Sequence, residues 1–467
     1  MAQLLRFTSG QHIHLIGIAG AGLSAIARVL ILRGYYVSGS DLRADANTAQ
    51  LQALGATVHQ GHDERFVQGA DLVIRSSAVK DDHPEVRSAH ALGIPVYKRS
   101  DVMGALMADK QGIAIAGTHG KTTTTSMIAH ILITCGHDPD YIVGGVLANT
   151  GTNAGMGAGQ AFVIEADEYD NMFHGLNPQI ALVTSVEFDH PDFFPTPDDL
   201  QASFAQFIAR LPDDGLLIAC ADDPVALEFA KGRRQASKPV ITYGFSAVAD
   251  WQVVNLRYED EHTRCEVITD GQERGTLVLT IPGKYNIQNA LGALIVADQQ
   301  GVPFADAIAS LANFHGTGRR FDVRATIGDV VIVDDYAHHP TAIRVMLEGA
   351  RQRYPQHTLW AVWQPHTFTR TQALWHDYLH AFADADHLLI TPIYPARERA
   401  EDFPDVHLPD FMQALTHPDA HYLLDFDAIV EHLCQQVRPP ALILIMSAGD
   451  APQIGIRYAQ QLEANRS

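Results

Sequence analysis

Cysteine is scarce in this sequence: there are four, Cys135, Cys220, Cys265 and Cys434, and no two form a C-x-x-C pair. That excludes a disulfide scaffold and a cysteine-rich zinc site, and it fits a reducing, cytoplasmic setting. Positive charge is also short. Lys and Arg number 33 against 54 Asp and Glu, a formal net charge of 33 − 54 = −21. So acidic a chain is repelled by nucleic acid and by anionic membrane faces, so any phosphate it binds must be held locally. No apolar run reaches the roughly 18 residues that a membrane helix needs. Met1 to Gly10 has neither the apolar core nor the charged start of an export leader. An unexported chain without membrane insertion is expected.

What is present points to globular domains. Hydrophobic residues at 46% with 19% charged exclude a disordered chain, and 467 residues suggest about three domains. Short apolar runs alternate with helical patterns: His12 to Ile18, Leu23 to Leu32 at helical spacing, Tyr36 to Ser40, Leu72 to Ser76, Pro95 to Tyr97. This rhythm predicts βαβ units and a parallel sheet. A polar interruption at Met107 to Gln111 marks a first boundary. The second series predicts strands at Ile113 to Ala116, Ala161 to Ile164, Ile180 to Val186 and Leu216 to Ala219, with a helix at Leu200 to Ile208. Its tail, Trp251 to Tyr258, Arg264 to Thr269 and Gly275 to Ile281, alternates like an antiparallel meander, and a helix resumes at Asn286 to Gln299. Gly-rich Asn313 to Arg319 reads as a second hinge. Strands at Val330 to Val333, Leu359 to Trp363, Leu388 to Thr391 and Leu442 to Met446 make a third series.

The most informative segment is Ala114-Ile-Ala-Gly117-Thr118-His119-Gly120-Lys121-Thr122-Thr123, between a predicted strand and a predicted helix, where a phosphate loop belongs. Gly117 and Gly120 let backbone N–H groups curl around phosphate oxygens. Lys121 adds a point charge, and Thr122 can place a hydroxyl on Mg²⁺. Ile115 stands where the first glycine of G-x-x-x-x-G-K-T would be. The alternative is a Gly-rich turn that merely caps a helix. Against it, Lys121 is the only lysine between Lys110 and Lys231.

Two acidic clusters close later strands. Glu165-Ala-Asp167-Glu168-Tyr-Asp170 follows Phe162 to Ile164, and Glu187-Phe-Asp189-His190-Pro follows Ile180 to Val186. Metal-phosphate sites lie at such carboxyl ends, so Glu165 and His190 are candidate ligands opposite Thr122, with a solvated acidic loop as the alternative. Near the start, Gly17-Ile-Ala-Gly20-Ala-Gly22 follows the first strand and Asp41 closes the second. This shifted dinucleotide-like fingerprint predicts a diphosphate at a helix N-terminus, or else a turn needed only for packing. In the last third, Asp334-Asp335-Tyr336-Ala-His338-His339-Pro340 and Gln364-Pro-His366-Thr-Phe-Thr-Arg370-Thr371 face one rim of the third sheet. Arg370 can bind a carboxylate bidentately, although a lone Arg is commonly solvated or ion-paired. The fold class expected is α/β in three successive domains. These are an N-terminal Rossmann-like domain (1–108), a central P-loop ATPase-like domain with extra antiparallel strands (109–315) and a C-terminal Rossmann-like domain (316–467).

Taken in order, Gly17 to Ser24, Ser38 to Asp41, Ala116 to Thr125, Glu165 to Glu168, Asn286 to Asn289, Arg319 to Phe321 and Asp334 to Pro340 resemble the Mur ligase family. These are ATP-dependent amide ligases that build the peptide of bacterial cell-wall precursors. Within it, the first glycine motif and the two C-terminal motifs are most similar to the branch that joins L-alanine to UDP-N-acetylmuramate. The near competitor is the branch that attaches a recycled murein tripeptide. The resemblance implies that Gly17, Gly20, Gly22 and Asp41 serve the UDP-sugar, and that Gly117 to Thr123, Asn286, Asn289 and Asp335 bind ATP. It further implies Mg²⁺ at Thr122, Glu165 and His190, and Lys121, Glu165, His190 and Arg320 in catalysis. His339, His366 and Arg370 would surround alanine, and closure about the two hinges would complete the site. Tyr285 stands where the resemblance leads one to expect His. Many relatives bridge two metal ions with a carbamylated lysine, whereas no lysine occurs here between Lys121 and Lys231. A monomer or homodimer is expected. From the motifs alone, a regulatory or transport P-loop NTPase and a nicotinamide dehydrogenase remain alternatives.

Overall fold

A computed structural model describes residues 5, 7–42, 45–259 and 262–465, so the leader reading of Met1 to Gly10 falls partly outside the described residues. The apolar strand His12–Ile16 is followed by the helix Ala21–Leu32, which returns the chain so that Tyr36–Asp41 pairs in parallel, Ile13 opposite Val37. Repetition gives a parallel sheet in the order Thr57–Gln60, Tyr36–Asp41, His12–Ile16, Leu72–Arg75, Val96–Lys98. The order reverses beside His12–Ile16, which opens a crevice at the carboxyl ends of the strands.

In the second sheet Gln111–Ala116 is central, between Ile180–Val183 and Ala161–Glu165. Leu216–Cys220 and Val240–Gly244 extend it in parallel, and Trp251–Glu259, His262–Thr269 and Gln272–Leu279 add the antiparallel meander. Asp140–Leu147 and Thr152–Gly155 close the opposite end. In the third sheet the order is Asp322–Ile327, Val330–Asp335, Ala441–Met446, Thr358–Trp363, His387–Ile390, Ala420–Tyr422, parallel except for the first strand. The run expected as a strand to Val186 ends at Val183. Thr184 there turns its hydroxyl to the Ala116 carbonyl at 3.2 Å, so the last residues belong to the phosphate loop's wall.

The first two sheets are not independent bodies. Ile26, Leu30, Val102 and Leu106 pack in the same hydrophobic cluster as Ala114, Phe162, Phe173 and Phe204. Buried Asp140 reinforces the joint, accepting from Arg33 at 3.1 Å and Lys110 at 2.9 Å. The third sheet has its own core on each face. The segment Asn313 to Arg319, expected as a hinge, is instead stitched to the central sheet. Gly318 N–H donates to Val146 O at 2.8 Å, Ala148 N–H to Gly316 O at 3.1 Å, and Thr317 donates to Ser126 at 2.9 Å in a buried contact. The backbone takes positive φ within the stitch at Gly316 (88°) and again at its end, at Arg319 (59°) and Phe321 (49°).

Candidate active site

The phosphate loop links the buried strand Gln111–Ala116 to the helix Lys121–Thr134. Ile115 lies within the regular strand and is fully buried, so that position has no need of glycine. Gly117 and Gly120 do need it. Their φ values are 138° and 81°, and a Cβ would come within 1.9 Å of Thr184 and 2.5 Å of Asn289 respectively. Asn289 therefore braces the phosphate loop, while Asn286 donates to Pro282 O at 2.6 Å. Lys121 at the head of the helix is 12% exposed, and its ammonium donates to both oxygens of Glu168, at 2.9 and 2.7 Å. Burial opposes its charge, but Glu168, Asp167 and Glu165 outweigh burial and push its pKa above the usual lysine range. Glu168 is the site residue that the sequence motifs left without a role.

Thr122 donates to Glu165 Oε1 at 2.9 Å, and the other Glu165 oxygen accepts from Gly144 N–H at 2.7 Å. Arg320 crosses from the third sheet to within 3.3 Å of the Thr122 hydroxyl while stacking over Tyr336. His190 lines the same cleft and is hydrogen-bonded to Arg370. Its φ is 57°, its Nδ1 lies 3.3 Å from Arg370, and its Nε2 faces Glu168 at 3.8 Å and Asp189 at 3.7 Å. An arginine can only donate, so His190 Nδ1 is the acceptor and Nε2 carries the hydrogen. Of the expected Mg²⁺ ligands, Thr122 and Glu165 are in direct contact and His190 lines the same cleft. A hydroxyl and a carboxylate converging beside a phosphate loop still fit Mg²⁺, which favours oxygen and completes its shell with water and phosphate.

Arg370 is not a free fork. Only 4% exposed, it donates through Nε to Asp189 at 2.7 Å and through Nη1 to His366 Nδ1 at 3.0 Å. Burial raises the Asp189 pKa, but Arg370 outweighs it and holds the carboxyl well below its usual range. Burial and then Arg370 drive the His366 imidazole down to about 4, so it is neutral and presents Nε2–H to the cleft. His338 stands near His366, with ring centroids 5.9 Å apart. His339 turns elsewhere, toward Glu187 and His119, and is not part of the Arg370 cluster.

Asp335, at the end of Val330–Asp335, accepts from the N–H groups of Phe321 at 2.6 Å and Ala337 at 2.7 Å, and burial pushes its pKa up to about 6. In the first domain, Gly22 supports Arg99, since a Cβ there would come within 2.0 Å of its guanidinium, and Arg99 pairs with Asp167 at 3.1 Å. Asp41 accepts from Ala19 N–H at 3.0 Å, and Gly17 donates to Ser40 O at 2.8 Å, so both shape the first glycine turn. One cleft of about 2250 Å³ gathers Gly22, Arg99, Thr118 to Thr123, Glu165, His190, Asn286, Asn289, Arg320, Asp335, His339, His366 and Arg370. Gly17, Gly20, Asp41 and Gly117 stand behind its wall and are absent from its lining.

Comparison with known proteins agrees along the whole chain. Family models match residues 12–111 (Mur ligase family, catalytic domain), 115–297 (Mur ligase middle domain) and 319–449 (Mur ligase, glutamate ligase domain). The UDP-N-acetylmuramate–L-alanine ligase of Syntrophotalea carbinolica is 41% identical over 97% of this chain and 98% of its own. That of Geobacter sulfurreducens is 40% identical over 98% of each. Among solved structures, the UDP-N-acetylmuramate-alanine ligase of Thermotoga maritima superposes with a TM-score of 0.82 at 25% identity, covering 97% of this chain and all of that one. A murein peptide ligase of Psychrobacter arcticus gives 0.73 at 26% identity, covering 97% and 99%.

Proposed function

This chain belongs to the Mur ligase family, and on that premise we propose that it joins L-alanine to the lactyl carboxylate of UDP-N-acetylmuramate with conversion of ATP to ADP, in peptidoglycan precursor synthesis. Family membership sets aside the NTPase and dehydrogenase alternatives. The observation that carries the reading is the single cleft to which all three domains contribute: Arg99 from the first, Lys121 and Glu165 from the second, Asp335 and Arg370 from the third. We assign the first domain to the UDP-sugar, the phosphate loop to ATP and the Arg370 cluster to alanine. A cytoplasmic setting suits both nucleotide substrates and the four free cysteines. Among the described residues no helix is long and apolar enough to cross a membrane.

The chemistry follows from what a carboxylate lacks. It is a poor electrophile until phosphorylated, so the muramyl carboxylate first attacks the γ-phosphate to give an acyl phosphate. The alanine amine then attacks that carbonyl, and the tetrahedral intermediate expels phosphate. Lys121 leaves Glu168 for the phosphates and offsets charge on the transferring group, while Arg320 approaches from the third domain. Mg²⁺ held by Thr122 and Glu165 would neutralise phosphate charge. Asp189 and His366 hold the Arg370 guanidinium in place for the alanine carboxylate, and the three domains together keep water from the acyl phosphate.

The deciding assay is phosphate release from ATP with UDP-N-acetylmuramate and each candidate amine in turn. Release with alanine is expected. Release with murein tripeptide and not with alanine would replace this reading by the recycling one.

Two further outcomes are expected. Activity should be the same in degassed, bicarbonate-free buffer as with bicarbonate, because no lysine lies between Lys121 and Lys231 to be carbamylated. A loss restored by bicarbonate would refute this. The second concerns Asp335, whose carboxyl titrates at about 6 because burial disfavours its charge. A raised acid pKa leaves the group ionised above that pH and neutral below it. If the carboxylate grips the ATP ribose, KM for ATP should rise as pH falls from 7 to 5. Asp335→Asn should have a high KM throughout that range, and an unchanged pH profile in that variant would acquit Asp335.

A further inference from the structure

A chain of polar side chains crosses the first sheet beneath its glycine turn, and none of them lines the cleft. Its links run from Gly69 O to His12 Nδ1 at 2.9 Å, from His12 Nε2 to Ser38 Oγ at 2.7 Å, from Ser38 Oγ to His14 Nδ1 at 2.8 Å and from His14 Nε2 to Glu85 Oε2 at 2.7 Å. His14 and Glu85 are fully buried. Ser40 ties the chain to the turn. Its hydroxyl donates to Glu85 at 2.8 Å, and its carbonyl accepts from Gly17 N–H at 2.8 Å and Ile18 N–H at 3.2 Å, while Asp41 beside it takes Ala19 N–H. Three consecutive N–H groups of the turn thus hang on the end of the strand Tyr36–Asp41.

Four links need four protons, and both ends of the chain, a carbonyl and a carboxylate, only accept. A neutral His12, the Ser38 hydroxyl and a neutral His14 hold three. If Ser38 donates to His12, His14 must donate at both ring nitrogens; if Ser38 donates to His14, His12 must. Without a fourth proton two lone pairs would meet at hydrogen-bond distance inside the domain, leaving a buried bond unmade. The fourth proton also cancels the charge of Glu85, which among the described residues has no Lys or Arg partner and whose remaining side-chain contact is His62 Nδ1 at 2.8 Å. Burial opposes ionisation of Glu85, but His14 and Ser40 outweigh it and keep the carboxyl below its usual range, so the proton sits on an imidazole. The neighbours supply no substitute. Burial holds His59 and His83 toward the neutral form, the Tyr36 ring lies against His12, and Asp71, which accepts from His12 N–H at 2.7 Å, is acidic.

We propose that His14 and Glu85 are positioning residues for the first glycine turn, held by one proton beyond the neutral count on the His12–Ser38–His14 relay, so that the turn's ligand binds more weakly as pH rises and the proton leaves. This coupling rests on the assignment of the first domain to UDP-N-acetylmuramate. Once the proton is gone, Glu85 is a buried charge without a counter-charge, and Ser40 loses its fixed anchor. Two variants remove the need for the proton. In Glu85→Gln an amide N–H donates to the His14 lone pair, and in Ser38→Ala His12 is cut off from His14.

The test has two readouts on the full-length protein. Nitrogen NMR of histidine-labelled protein at pH 8 should show an imidazole protonated at both nitrogens in wild type and in neither variant. Calorimetric titration with UDP-N-acetylmuramate, without ATP or alanine, should show wild-type binding weakening relative to both variants by about tenfold per pH unit once the proton leaves. Titration of the ligand itself is common to all three proteins and cancels. Absence of the doubly protonated imidazole from wild type would overturn the proposal, as would a ratio of wild-type to variant dissociation constants that stays flat from pH 6 to 10. A flat ratio with a lowered melting temperature in Glu85→Gln is the result for a Glu85 that only stabilises the fold. No binding of UDP-N-acetylmuramate at pH 7 with the imidazole signal present would overturn the assignment of the first domain, and the coupling with it, while the shared proton stands.

Discussion

Lys121→Ala is expected to lower kcat about a hundredfold or more, with UDP-N-acetylmuramate still bound. The argument rests on where the ammonium sits. It is the charge at the head of the phosphate-loop helix, in a closed cleft where water screens little, so its loss removes several kcal/mol from the transition state. The structure adds a complication that the motif alone does not disclose. Glu168 is 2% exposed, and without Lys121 it becomes a buried carboxylate that has lost its ion-pair partner. Breaking such a pair costs about 3–5 kcal/mol of stability if the survivor stays charged. A Lys121→Ala, Glu168→Gln double variant separates the two effects: it should recover the melting temperature and leave kcat low. Near-normal turnover in either variant would remove Lys121 from the chemistry.

Arg370→Lys should raise KM for alanine about ten- to a hundredfold, or about 1.4–2.8 kcal/mol, while KM for ATP barely moves. Lysine keeps the charge that Asp189 requires but lacks the planar fork whose fixed donors reach Asp189, His366 and a substrate carboxylate in separate directions. The alanine carboxylate would then rely on His366 Nε2–H alone. Because Asp189 and Arg370 belong to different domains, the conservative variant is needed. Arg370→Ala would strand Asp189 and confound binding with docking of the third domain. A shift in the ATP constant without one in the alanine constant would put the carboxylate clamp elsewhere.

Much of the fold is legible in the residues because buried parallel strands read as continuous apolar runs. Six strands escape that rule: Thr57–Gln60, Asp140–Leu147, Thr152–Gly155, Val240–Gly244, Asp322–Ile327 and Ala420–Tyr422. Four of them form sheet edges, where one flank meets solvent and the apolar pattern is diluted; Asp140–Leu147 also carries Gly144 and Gly145. The phosphate loop is legible because its glycines, lysine and threonine are contiguous. Partnerships across domains are not. No spacing along the chain tells that Arg370 meets Asp189, that Arg99 rests on Gly22, or that His339 faces Glu187 and leaves His338 beside His366. The acidic clusters advertise charge, but only packing decides that Glu168, not Glu165, holds Lys121.

Three sheets do not make three melting units. The apolar cluster that runs without interruption from Ile26 to Phe204, with Asp140 pinned beneath it by Arg33 and Lys110, means that opening the first sheet exposes the core of the second. Cooperativity follows shared buried surface rather than sheet count. In scanning calorimetry the protein should therefore unfold in two transitions, one of the third domain from Phe321 through the last helix, Pro452–Ala464, and one of everything before it. By the same reasoning, the N-terminal domain expressed alone would present to water the face that Phe162 and Phe204 now cover, and should aggregate where the separated C-terminal domain stays folded.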